Sequence, residues 1–75
     1  MGDKKSLLPA ELLPWRRELN WGARRLHRRL PQLPRELVRV HLIRLFRELS
    51  PCERGDLNTI AERVDALAEA LEPTL

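Results

Sequence analysis

From residue 14 to residue 30 the chain repeats apolar side chains at the spacing of an α-helix. At about 100° of rotation per residue, Trp15, Leu19, Gly22, Ala23, Leu26 and Leu30 fall on one stripe. Pro14 suits the first helical position, where a missing N–H costs nothing. Ahead of it, Pro9–Leu13 is long enough for one helical turn whose leucines cover the end of a core, and residues 1–8 are expected to fray. Pro31-Gln32-Leu33-Pro34 stops the helix, because two prolines in so short a run make a stiff connection, and Pro34 can open the next element.

Residues 35–49 (RELVRVHLIRLFREL) are the most apolar stretch. Val38, Leu42, Leu45, Phe46 and Leu49 form the main stripe, while Leu37, Val40 and Ile43 lie on its flanks and back. A helix that is apolar nearly all round wants partners on several sides. This segment is therefore expected to be the central helix, with any surplus surface serving as a subunit interface. Val38, Val40 and Ile43 would tolerate a strand, but the spacing and length favour helix.

Ser50-Pro51-Cys52-Glu53 has the form of a capping box, with serine at the N-cap, proline at the first position and glutamate at the third. It predicts a last helix over 51–72, with Gly55 accommodated in its first turns. Alternatively Gly55-Asp56 breaks it, and Asp56 caps a helix starting at Leu57. Either way Leu57, Ile60, Val64, Leu67 and Leu71 share one face, widened by Ala61 and Ala68. The pattern is too short for a free coiled coil, so packing within the subunit is favoured over packing between subunits. Pro73 closes the helix.

These elements predict an all-α, single-domain chain over 1–75, with helices at about 14–30, 35–49 and 51–72. A chain of 75 residues builds a core with little stability to spare. Cys52 is the only cysteine, so no disulfide can form within the chain, and His27, His41 and Cys52 lack the spacing of a zinc site. No metal and no cofactor is expected. Self-association remains as the supplement, and a homodimer is expected. The lone cysteine suits a reducing compartment. No apolar run approaches the roughly 20 residues of a membrane span, and the start of the chain lacks a signal peptide's apolar segment. A soluble, intracellular protein is expected, cytoplasmic or nuclear.

Charge is distributed unevenly. Residues 1–50 hold twelve basic and five acidic side chains, whereas residues 51–75 hold two basic and six acidic ones. All but Lys4 and Lys5 of the basic residues are arginine, the better fork for phosphate and the better stacker on bases. Arg16, Arg17, Arg24, Arg25, Arg28 and Arg29 crowd the first helix, and Trp21 points away from its apolar stripe. Its helical neighbours at i−4, i+3, i+4 and i+7 are Arg17, Arg24, Arg25 and Arg28. Such a face suits an anionic partner that also offers a flat surface for stacking, as nucleic acid does. The competing reading packs Trp21 against protein, with arginine stems along its ring.

Enzyme motifs are absent: the glycines at 2, 22 and 55 form no phosphate loop, and no nucleophile has a base nearby in sequence. His27, beside the basic face, is a solvated residue or a phosphate contact, and His41 a partly buried packing residue. Nothing suggests a base-reading helix-turn-helix, so RNA is favoured over DNA, recognised by shape and phosphate. In plan, a short all-helical chain with an arginine-rich helix and an outward tryptophan resembles small double-stranded-RNA-binding proteins of viruses, silencing suppressors among them. That resemblance implies binding of duplex or structured RNA. The site expected from the residues themselves is Arg16, Arg17, Trp21, Arg24, Arg25, Arg28 and Arg29. The alternatives are an interaction or adaptor module that binds an acidic protein, and an amphipathic helix lying on anionic lipid.

Overall fold

The structure is a computed structural model that describes residues 8–75; of the expected frayed start, residues 1–7 lie outside the described residues. The chain is all-α. A 3-10 helix, Ala10–Trp15, runs into α1 (Arg16–Arg29), followed by α2 (Arg35–Glu48), α3 (Pro51–Arg54), α4 (Leu57–Leu71) and a closing 3-10 helix, Glu72–Thr74. Among the described residues there is no strand, and no helix is long and apolar enough to cross a membrane.

The first expected helix divides at Trp15 because Pro14 lies inside the preceding turn. An interior proline donates no hydrogen bond and its ring crowds the carbonyl four residues back. The chain therefore passes this point in 3-10 geometry, opened by Leu12 N donating to Pro9 O at 2.9 Å. Leu12 is fully buried and Leu8 packs against the core, whereas Leu13, expected to cover the core as well, is 47% exposed. Past α1, Leu33 N donates to Leu30 O at 3.1 Å and both leucines turn inward, which anchors the connection to α2.

The last expected helix is broken, as the alternative reading allowed. The capping box at Ser50 forms: Glu53 N donates to Ser50 Oγ at 3.3 Å, and Ser50 N donates to Glu53 Oε1 at 2.9 Å. It starts only the single turn of α3. At Gly55 the chain turns, and Asp56 accepts from Asn58 N at 3.1 Å and from Thr59 Oγ1 at 3.0 Å, a second cap that starts α4. Arg54 fixes α3 in place. Its Nε donates to Phe46 O at the end of α2, at 2.8 Å, and its guanidinium stacks 4.7 Å above the Trp15 ring.

The central helix is α1, not α2. α1 packs against both α2 and α4, in a flat body of 34 × 31 × 16 Å. Gly22 is a point of close approach: a β-carbon there would lie 2.9 Å from Leu42 Cδ1 and 3.2 Å from Ile60 Cγ2. The apolar breadth of α2 pointed the other way, but its flank stays outside, with Leu37 46% and Val40 48% exposed. The core is one cluster within the chain, built on Leu12, Leu19, Leu26, Leu42, Phe46, Ile60, Val64 and Ala68, and among the described residues no polar side chain is buried in it. On α4 the buried line runs through Ile60, Val64 and Ala68, while Leu67 and Leu71 are only partly covered and Leu57 is exposed.

Candidate nucleic-acid interface

The arginines of α1 do not share one face. Because its buried line is Leu19, Gly22 and Leu26, side chains on either flank meet different neighbours. Toward α4, Arg25 forms a two-pronged pair with Asp65, Nε to Oδ1 at 3.0 Å and Nη2 to Oδ2 at 2.9 Å. Arg29 Nη1 reaches the same carboxylate at 3.3 Å. The Arg25 hydrogen bond holds the Asp65 carboxyl below its ordinary range and raises the Arg25 guanidinium in return. Arg25 thus spends its fork on the α1–α4 seam, while Arg29 meets it through a single nitrogen and stays exposed.

Trp21 is an exposed residue, at 36%, and the Arg25 guanidinium lies 5.8 Å from its ring centre. The ion pair to Asp65 holds that guanidinium, so Arg25 braces the ring instead of competing for a ligand. Arg17, Arg24 and Arg28 are exposed around it, and among the described residues none has an acidic partner. Arg16 is exposed too, but five residues of helix rotation carry it about 140° away from Trp21. The outward face is therefore Arg17, Trp21, Arg24 and Arg28, reaching about 16 Å along the helix. Trp15, placed on the inner stripe, is half-buried against the core under Arg54.

Toward α2 the surface dips into a groove of about 370 Å³, lined by Asn20, Ala23, Arg24 and His27 from α1 and by Arg35, Val38 and Arg39 from α2. Asn20, Arg35 and Arg39 were not foreseen as site residues. The signal was present in their spacing: 20, 23, 24 and 27 form one stripe of α1, and 35, 38 and 39 one stripe of α2. Only the packing sets those stripes face to face. His27 is half-buried here, and His41 is half-buried on α2. Among the described residues, no group of three His, Cys, Asp or Glu side chains could hold a metal ion.

Compared with protein-family models, curated proteins and solved structures, the chain matches none of them.

Proposed function

We propose that this protein binds duplex or structured RNA through the outward face of α1, without catalysing a reaction. The observation that carries the reading is Trp21, exposed on a helix between Arg17, Arg24 and Arg28, which have no acidic partner among the described residues. An aromatic ring supplies a stacking platform and the guanidiniums supply phosphate contacts. The acidic side chains of α4, Glu62 and Glu69, stand exposed elsewhere and discourage an anion from binding that side. Shape and phosphate recognition of this kind needs no base-reading element.

The test is a titration of labelled RNA duplex at several salt concentrations. With Arg17, Arg24 and Arg28 free to contact phosphate, log K should fall with log[salt] at a slope of about two to three. Arg28→Ala should lower that slope by about one, and Trp21→Ala should cost about 1–3 kcal/mol while leaving it unchanged. If no duplex or single strand binds below about 100 μM at low ionic strength, where even nonspecific association is expected, the reading fails. Binding to an acidic protein, uncompeted by RNA, would then take its place. We read the exposed Leu37 and Val40 as the contact of a homodimer, which sedimentation equilibrium with Val40→Glu would check.

A further inference from the structure

We propose that the groove between α1 and α2 is a site for a phosphate monoester, a doubly charged phosphate at a strand end or on a free nucleotide. Three guanidiniums line it, Arg24 from α1 and Arg35 and Arg39 from α2. Among the described residues none of them is paired with a carboxylate. That contrasts with the other flank of α1, where Asp65 forms a two-pronged pair with Arg25 and also meets Arg29. The same helix thus carries one flank closed by an acid and one left cationic.

Three like charges lining one groove repel one another and call for an anion. A bridging phosphodiester brings a single negative charge, whereas a phosphate monoester carries about −1.5 to −2 at pH 7 and three oxygens that accept charge-assisted hydrogen bonds. The monoester is the better match in both charge and number of acceptors. Half-buried His27 and exposed Asn20 add polar groups at the rim. The floor is apolar, formed by Ala23 and buried Val38, a surface on which a sugar can rest. At about 370 Å³, the groove sits at the small end of sites for compact ligands.

The source of the phosphate as a strand end rests on the RNA reading above, but the chemistry of the site does not. The experiment uses the full chain and one duplex prepared with 5′-phosphate, 3′-phosphate or hydroxyl ends, together with AMP and adenosine. A phosphorylated end should bind at least about tenfold more tightly than the hydroxyl form, the scale of one charge-assisted contact. AMP should compete where adenosine does not. Arg35→Gln with Arg39→Gln should erase the preference while leaving the affinity for the hydroxyl duplex largely intact, since Arg17, Arg28 and Trp21 are untouched. Arg35→Lys with Arg39→Lys should keep part of it, and circular dichroism should show both variants folded. Equal affinity for all three duplexes, with no competition by AMP, overturns the site and leaves the RNA reading standing. Binding of AMP that depends on Arg35 and Arg39, with no duplex bound, supports the site and ends the RNA reading.

Discussion

Gly22→Ala tests the packing that draws α2 and α4 onto α1. In an unobstructed helix interior this change stabilises by about 1 kcal/mol. Here the added carbon would meet Leu42 Cδ1 at 2.9 Å, Ile60 Cγ2 at 3.2 Å and Val64 Cγ2 at 3.5 Å. All three side chains are fully buried, so none can retreat without moving its own neighbours. Overfilling such a core costs about 1–3 kcal/mol. Set against the gain in helix propensity, the net loss is about 1 kcal/mol, which lowers Tm by about 4–8 °C in a domain of this size. Gly55→Ala is the control for the chemistry alone. Its nearest obstacle is Cys52 O at 4.0 Å, and its φ of −96° and ψ of 0° are open to alanine. That variant should gain about 0.4–1 kcal/mol by restricting the unfolded chain. Thermal melts and urea titrations of both variants against the parent measure the signs directly. A Gly22→Ala protein stabilised as much as Gly55→Ala would refute the close approach at α1.

The remaining predictions concern the two tryptophans, the cap and the acid limb of stability. Trp15→Ala should destabilise by about 3 kcal/mol, the low end for a buried aromatic, because the ring is only half-covered; Trp21→Ala should stay within about 0.5 kcal/mol of the parent. The reverse order in urea denaturation would mean that the two faces of the helix are exchanged. Ser50→Ala removes the capping box and should cost about 1 kcal/mol, with faster amide exchange in α3 as its local signature. Asp65 is held below its ordinary pKa chiefly by the hydrogen bond from Arg25, and Glu53 by the backbone N–H of Ser50. The unfolded chain therefore takes up these protons first, so their stabilisation is present above the ordinary carboxylate value of about 4 and is lost as pH falls through the depressed folded values. Asp65→Asn should flatten part of that acid limb in urea midpoints, and an unchanged profile would show the pair contributes no linkage.

Local chemistry was readable from the chain wherever a few neighbouring residues decide the outcome. The all-α class follows from the spacing of leucines, the stop at Pro31–Pro34 from proline geometry, and the box at Ser50 from one serine three residues before a glutamate. The outward setting of Trp21 and the inward setting of Trp15 follow from rotation about one helix axis. Gly55-Asp56 left two readings open, because propensity alone does not tell whether a capping aspartate outcompetes helix continuation. The partner of each face required the tertiary structure. Apolar breadth suggested that α2 lies at the centre, yet Gly22, the smallest side chain in the stripe, places α1 there, since two helices approach most closely where no β-carbon intervenes. The six arginines of α1 look alike in sequence. Asp65, forty residues away from Arg25 along the chain, ties up Arg25 and meets Arg29, and the packing of α2 sets Arg35 and Arg39 across a groove from Arg24. Periodicity reports which side of a helix is dry, whereas the charge that meets each wet side is set by packing between segments distant in the chain.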